Sequence, residues 1–188
     1  MQASANYFEF PFKAKVIRRA LKGLEERLTA QRYRIRLLLQ RDGDVQIAET
    51  VINLDNDDAE QRVLLAREPI EIDTPFICHK TTHRDVYEQA IHTVDKGDDV
   101  LMWNKDGFIS ETSIANVIVR IDGERYTPPM ECGLLAGTYR ERLLRIGDIK
   151  ERKIHVSEIM PMSKLTLMNS VRGEYSARFC SAANGATT

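Results

Sequence analysis

The sequence has few cysteines, no long apolar run and no excess of either charge. The three cysteines, Cys78, Cys132 and Cys180, are far apart and odd in number, so they predict neither a disulfide framework nor a zinc motif. No apolar run approaches the roughly 20 residues that span a bilayer. The opening stretch MQASANYFEF lacks the basic region and apolar core of a secretory signal. We therefore expect a cytoplasmic protein with reduced thiols and no metal site.

The charges of the chain nearly cancel. Lysine and arginine number 27 and the acidic residues 28, for a net charge of −1. Electrostatics alone therefore predicts neither a nucleic-acid partner nor a membrane partner. With 188 residues, of which 43% are hydrophobic, the chain can build one large domain or two small ones around a real core.

Alternating patterns predict an α+β or α/β fold in two domains. Residues 13–30 repeat apolar side chains at helical spacing, with Val16, Ile17, Ala20, Leu21, Leu24 and Leu28 on one face. YRIRLLLQ and VQIAETVINL are typical of two strands joined by the turn RDGD, and QRVLLA is a candidate third strand. REPIEIDTP has two prolines and no helical period, as a linker does. The boundary is therefore predicted near Ile70–Pro75, with domains of residues 1–72 and 73–188.

The second part alternates short helices with apolar strands. Helices are predicted in HRDVYEQAIHTV and AGTYRERLLRIGD, with a short helical segment from Ser157. The predicted strands are DDVLMWN, FISE, IANVIVRI, ERKIHV and, as the last one, LTLMNS. The tail CSAANGATT is expected to be frayed.

Lys80 stands out because it ends the apolar, strand-like run FICHK just before a predicted helix. A buried ammonium is costly unless it is paired, deprotonated or used covalently, so Lys80 is a candidate for chemistry. The ordinary alternative is a solvated lysine, which is the commoner case.

Three further segments offer groups that could belong to the same site. Glu111 lies between two short strands, where its carboxylate could face inward. Gly137 precedes a helix, so the N–H groups of Thr138 and Tyr139 could bind an anion at the positive end of the helix dipole, and Ser170 could add a hydroxyl. The ordinary alternatives are a surface carboxylate and a simple helix cap.

Together these are the groups that pyridoxal phosphate needs. A lysine forms the Schiff base and moves protons, an acid keeps the ring nitrogen protonated, and a helix start with a hydroxyl holds the phosphate.

The blocks HKTTHRDVY, ETSIANVIV, LLAGTYRERLL and NSVRG, in this order, resemble the fold-type IV pyridoxal-phosphate enzymes of the class IV aminotransferase family. The nearest likeness is to aminodeoxychorismate lyase, and branched-chain and D-amino acid aminotransferases are more distant. The resemblance covers about Ala3 to Arg172. It implies a two-domain, D-amino acid aminotransferase-like fold, pyridoxal 5'-phosphate as cofactor, a small-molecule substrate and a homodimer. The implied reaction converts aminodeoxychorismate to 4-aminobenzoate and pyruvate in folate biosynthesis.

The resemblance also assigns roles residue by residue. It implies that Lys80 is the catalytic Schiff-base lysine and that Glu111 is the acid at the ring nitrogen. Thr138 and Tyr139 correspond to the backbone groups that bind the phosphate, with Ser170 as their hydroxyl partner.

Three residues are candidates for contact with the substrate. Arg36 falls where relatives can place an arginine for a substrate carboxylate, and its alternative is an exposed residue of a hairpin strand. Arg84 lies about one helical turn after Lys80 and either lines the pocket or is solvated. Asn116 either contacts the site or is a buried structural amide.

The resemblance also predicts a shortened N-terminal domain. MQASANYFEF resembles the latter half of a helix in the family, so the first part of the domain, with an arginine that clamps the phosphate, is expected to be absent. Loss of that charge-assisted contact predicts weak cofactor retention, a site that is empty or holds a small anion, and little turnover by this chain alone.

Two other functions remain open at this stage. One is a class IV aminotransferase of unassigned substrate, and the other is a truncated, catalytically silent dimeric scaffold. For the enzymes, we expect Lys80 and Glu111 to line one cleft between the domains, with Thr138 at its far end.

Overall fold

The computed structural model describes residues 1–29, 31–53, 60–92, 94, 99–159 and 163–180. The chain divides into two compact units, Met1–Asp57 and Asp58–Thr188. Within the described residues, no helix has both the length and the apolar character that a membrane span requires.

The first unit contains two helices and a β-hairpin. Its elements are α1 Gln2–Tyr7, α2 Ala14–Arg27, β1 Tyr33–Leu39 and β2 Val45–Val51. The two strands are antiparallel, which confirms the predicted hairpin, and Gly43 supplies the left-handed backbone of the turn with φ of 91°. The inward face of α2 is narrower than predicted, because only Ile17 and Leu24 are buried along this helix.

The second unit contains a mixed sheet of eight strands in the order β5-β4-β3-β10-β9-β6-β7-β8. The strands are β3 Gln61–Leu65, β4 Asp99–Trp103, β5 Ile109–Thr112, β6 Asn116–Ile121, β7 Glu124–Thr127, β8 Lys150–Glu151, β9 Lys164–Asn169 and β10 Gly173–Cys180. Its helices are α3 Pro75–Cys78, α4 Asp85–Ile91 and α5 Thr138–Arg145, with 3₁₀ turns at Met130–Cys132 and Val156–Glu158.

The pairing of β3 decides where the two units divide. This strand pairs in parallel with β10 on one side and with β4 on the other. Its hydrogen bonds therefore place residues 61–65 in the second unit. The division falls upstream of the boundary predicted at 72–73, because REPIEIDTP follows a strand that already belongs to the larger sheet.

Two apolar clusters lie on opposite sides of β4. Leu101 belongs to a cluster that also contains Val63, Val117 and Leu167. Its neighbours in β4, Val100 and Met102, belong to a second cluster with Ile77, Tyr87 and Ala90 of the helical segments. Because successive side chains of a strand point to opposite faces, burial on both faces explains the continuous apolar run VLM. A third cluster packs Leu143 of α5 on Ile118 and Met168.

The structure corrects three predictions of secondary structure. The run FIC is a short helix, α3, capped by the Thr74 hydroxyl, and not the end of a strand. ERKIHV contributes only its first residue, Glu151, to the two-residue strand β8, and His155 forms an isolated bridge with Phe108. The strand LTLMNS is not the last one.

The unpredicted last strand is β10, which lies between β3 and β9 in the sheet. Its sequence does contain the strand signal, since Tyr175, Ala177 and Phe179 alternate with more polar residues and pack in or against the main core. Cys180 ends this strand, and the remainder of the tail that we expected to be frayed lies outside the described residues.

Candidate active site

Glu111 is the centre of a buried polar cluster at the end of β5. Its side chain lies in the interior, with only 4% of the residue exposed. Oε1 accepts hydrogen bonds from the Tyr87 hydroxyl and from the Leu135 backbone N–H, both at 2.9 Å. Oε2 accepts one from the Asn116 amide, also at 2.9 Å. The carboxylate therefore faces inward as predicted, although its neighbours Ser110 and Thr112 are buried too.

The surroundings of Glu111 pull its pKa in opposite directions. Burial is the largest influence and raises the pKa, and the net value is about 7 against an ordinary value of 4.5. The hydrogen bonds from Leu135 and Tyr87, and the positive charges of Lys80 and Arg84, favour the ionised form and limit the rise in pKa. The group therefore titrates near neutrality, which is typical of functional sites.

Lys80 lies at a pocket whose wall holds the donors to Glu111. It follows α3 closely and is exposed, so the expectation of a buried ammonium is wrong. The residues that line this pocket are Phe76, His79, Lys80, Thr81, His83, Arg84, Tyr87 and Leu135. Tyr87 and Leu135 each donate a hydrogen bond to Glu111. Tyr87 and Leu135 therefore connect the pocket of Lys80 to the Glu111 carboxylate, and the expected cleft between the domains, lined by both Lys80 and Glu111, stays a prediction.

Arg84 lines the same pocket and contacts two other residues of the chain. Its guanidinium donates to the Ser113 carbonyl at 2.6 Å and lies 4.5 Å from the centre of the Tyr87 ring. The side chain is half-buried. Its position in the pocket wall favours the first of the two predicted alternatives over full solvation.

Asn116 ties Glu111 to the loop that precedes α5. Its amide donates both to Glu111 Oε2 and to the Leu135 carbonyl, each at 2.9 Å. A Cβ at Gly137 would come within 2.2 Å of the Asn116 side-chain oxygen, so the loop can approach this closely only with glycine there. Asn116 is thus a buried structural amide that touches the site, and its contact with substrate stays a prediction.

The start of α5 lies beside the turn between β9 and β10. The first N–H groups of a helix have no acceptor within the helix, which leaves Thr138 and Tyr139 as donors. A Cβ at Gly173 would lie 3.6 Å from the Tyr139 hydroxyl, so the helix start and this turn are neighbours. Ser170 is exposed in the same turn. The joint role of Thr138, Tyr139 and Ser170 as phosphate ligands stays a prediction.

Hydrogen bonds fix the shape of the turn between β9 and β10, and a short stretch of chain joins the pocket to α5. The Asn169 side-chain oxygen accepts from the N–H groups of Val171 and Arg172 at 3.0 and 2.9 Å, which holds the turn in shape. Leu135, which lines the pocket with Lys80, comes three residues before Thr138.

Arg36 belongs to the first unit. It occupies an exposed position of β1 opposite Ala48, which agrees with the alternative of an exposed hairpin residue. Its contact with a substrate carboxylate stays a prediction.

Tyr87 and Leu135 were missed by the sequence analysis. Leu135 acts through its backbone, and no side-chain pattern signals such a role. Tyr87 did carry a signal, because it lies one helical turn before the inward-facing Ala90, and a buried tyrosine usually needs a partner for its hydroxyl.

The raised pKa of Glu111 predicts a pH-dependent contribution to stability. Because the folded state holds this proton more tightly, the contribution is fully present below pH 4.5 and is lost as the pH rises through about 7. The loss should be on the order of 3 kcal/mol. We expect Glu111→Gln to remove this component when the free energy of unfolding in urea is measured between about pH 5 and pH 8.

Glu88→Gln is the matched control, since Glu88 is exposed on α4 and the substitution is chemically the same. It should keep the wild-type pH dependence. The same pH dependence in wild-type and Glu111→Gln proteins would contradict the prediction.

Comparison with known proteins places this arrangement in a family. The model of the family described as amino-transferase class IV matches residues 1–178. A protein of Schizosaccharomyces pombe, named provisionally as an aminodeoxychorismate lyase, is 34% identical over 123 residues, which cover 63% of this chain and 53% of that protein. The aminodeoxychorismate lyase of Saccharomyces cerevisiae is 31% identical over 131 residues, covering 59% of this chain and 35% of that protein. The matches thus span about half or less of these two relatives.

One solved structure superposes on a larger share of this chain than the two lyase sequences match. A protein from Mesorhizobium loti, named provisionally as an amino-acid aminotransferase, superposes with a TM-score of 0.83 at 30% identity, covering 95% of this chain and 87% of that one. The match of the family model over most of the sequence and the shared fold lead to one conclusion. The chain belongs to the class IV aminotransferase family of fold-type IV, pyridoxal-phosphate-dependent enzymes.

Proposed function

We propose that this chain acts in the cytoplasm as an aminodeoxychorismate lyase, which converts aminodeoxychorismate to 4-aminobenzoate and pyruvate in folate biosynthesis. The observation that carries the proposal is the buried Glu111 carboxylate, held by Tyr87 and Leu135, which also line the pocket of Lys80. The two yeast relatives named as lyases support the choice of reaction.

The donor and acceptor groups of the site fit pyridoxal phosphate. A carboxylate offers about four lone-pair positions. Oε1 of Glu111 receives two hydrogen bonds and Oε2 receives one from the described residues. Oε2 can therefore accept one more hydrogen bond, from a ring N–H. The N–H groups of Thr138 and Tyr139 and the hydroxyl of Ser170 are suited to a phosphate.

Each residue then has a defined task. When bound, pyridoxal phosphate supplies an electron sink for the bond broken at the amine-bearing carbon of the substrate. Lys80 would hold the cofactor through its Nζ, and the same Nζ would take the proton from that carbon as general base. Glu111 holds the proton on the ring nitrogen. The carbocycle would become aromatic as its C–O bond to the enolpyruvyl group breaks, which gives 4-aminobenzoate, and the departing enolpyruvate would take up a proton to become pyruvate.

A second candidate function is that of a class IV aminotransferase. It is favoured by the agreement with the Mesorhizobium loti structure, which is named as an aminotransferase and matches a larger share of this chain than either lyase relative does. Both reactions use the same removal of a proton by Lys80. They differ in the second step, because an aminotransferase needs a keto acid to accept the amino group.

We also propose that the protein is a homodimer. Several large apolar side chains of the first unit are exposed, among them Tyr7 at 60%, Val16 at 49% and Val51 at 56%. Exposed apolar surface of this kind is often covered by another subunit. Sedimentation at micromolar concentration should give a dimer, and a monomer alone would contradict this proposal.

Cofactor binding is tested by titration with pyridoxal phosphate. We expect the visible-to-near-ultraviolet absorbance band of a lysine-linked cofactor in the wild-type protein and its loss in Lys80→Ala, because Lys80 provides the attaching amine. Lys164→Ala is the matched control, since Lys164 is an exposed lysine of β9 and should leave the band unchanged. Borohydride reduction followed by peptide mass spectrometry should locate the cofactor on Lys80. Equal, weak binding by all three proteins would favour the silent scaffold instead.

The reaction type is tested with aminodeoxychorismate alone. A lyase should release pyruvate and 4-aminobenzoate without any added keto acid, because the elimination needs no amino-group acceptor. Lys80→Ala should show no release above background. Amino transfer that depends on an added keto acid, with no pyruvate from aminodeoxychorismate, would replace the lyase proposal by the aminotransferase.

A further inference from the structure

The start of α4 contacts the end of β5 at two points. Tyr87, in the first turn of α4, donates its hydroxyl to Glu111 Oε1 at 2.9 Å. Arg84, at the N-cap of α4, donates to the backbone carbonyl of Ser113 at 2.6 Å. Glu111 and Ser113 are two residues apart, so both contacts hold the same short segment.

The Tyr87 contact favours the ionised form of Glu111. A hydroxyl that donates to a carboxylate stabilises the charge more than it stabilises the protonated acid. Burial and the negative charge of Glu111 raise the pKa of the Tyr87 phenol well above its ordinary value. Tyr87 therefore remains a donor throughout the neutral pH range. Of the three described residues that donate to Glu111, Tyr87 is the one that lies on a helix, and that helix borders the pocket.

The Arg84 contact restrains the Tyr87 ring. The guanidinium lies 4.5 Å from the ring centre, within the range of an attractive cation–π interaction. Its hydrogen bond to Ser113 keeps the guanidinium at this position. The charge of Arg84 also lowers the pKa of Glu111. Arg84 thus acts on Glu111 both directly through its charge and indirectly through the ring of Tyr87.

We propose that Tyr87 is a positioning residue that keeps the Glu111 carboxylate ionised and fixes its orientation, and that Arg84 holds Tyr87 in place. The inference rests on the proposed cofactor role of Glu111. It gives Arg84 a task within the protein, where the sequence pattern had suggested a contact with substrate.

This arrangement also links the two ends of the site. Lys80, Arg84 and Tyr87 follow one another on the segment that leads into α4, and all three line the pocket. A displacement of this segment would move the amine of Lys80 and the hydroxyl donor of Glu111 together. The position of Lys80 and the hydrogen bond that Tyr87 donates to Glu111 therefore both depend on the segment that leads into α4.

The test is a titration of the Glu111 carboxyl carbon by NMR in protein labelled with ¹³C at glutamate and free of cofactor. Glu111→Gln assigns the signal. In the wild-type protein the carboxyl should titrate with a pKa of about 7. In Tyr87→Phe the pKa should rise by about one unit, the shift expected when a hydrogen bond to the ionised form is lost.

Tyr126→Phe is the matched control. Like Tyr87, Tyr126 lies beneath an arginine, with Arg152 5.7 Å from the ring centre, but it is half-buried and lies on β7, away from the donors to Glu111. It should leave the titration of Glu111 unchanged. A second variant, Arg84→Lys, keeps the positive charge but removes the planar group from the ring. We expect it to raise the pKa of Glu111 by less than Tyr87→Phe does.

The outcomes separate this inference from the proposed function. An unchanged pKa of Glu111 in Tyr87→Phe overturns the inference, whatever the cofactor titration shows. Should circular dichroism show that Tyr87→Phe is unfolded, Arg84→Lys decides, and an unchanged pKa there overturns the inference. A raised pKa supports it even if the protein binds no cofactor. In protein loaded with pyridoxal phosphate, the pH at which the absorbance band changes should move in the same direction.

Discussion

The candidate site depends on one costly interaction, the burial of the Glu111 carboxylate. A carboxylate buried in a protein interior without partners would take up a proton and become neutral, because the buried charge is costly. Among the described residues, three donors surround Glu111, namely Tyr87 of α4, Asn116 of β6 and the backbone N–H of Leu135 in the loop before α5. Burial raises the pKa of Glu111 and the donors oppose that rise, so the group lies close to the balance between its two forms.

The mixed sheet makes this cluster possible. β5 carries Glu111 and β6 carries Asn116, and the short connection between them brings the two side chains face to face. β6 pairs with β9, whose end leads into the turn that contains Ser170. Asn116 in turn holds the Leu135 carbonyl, and the chain continues from there through Gly137 into α5. One network of hydrogen bonds thus connects the Glu111 carboxylate to the start of the helix proposed to bind phosphate.

Sequence reasoning identified most of the helices and strands, but not the pairing of strands that are distant in the sequence. The hairpin of β1 and β2 follows from alternation and turn residues, whereas β4 and β6 follow from apolar runs and β5 from the turn that precedes it. β10 was overlooked despite its alternation, and α3 was taken for a strand because four apolar-rich residues suit either element. The place of β3 in the larger sheet could not be inferred, since its partners β10 and β4 are distant in the sequence.

The sequence by itself determined the family, because the blocks around Lys80, Glu111, Gly137 and Ser170 occur in a specific order. It also supplied the residue types that pyridoxal chemistry needs. Only the tertiary structure decided that Lys80 is exposed at a pocket, that Tyr87 and Leu135 hold Glu111, and that Arg84 lies over Tyr87. The physical reason is that burial, hydrogen-bond partners and pKa depend on which distant segments meet, and a periodic pattern along the chain carries no information about those meetings.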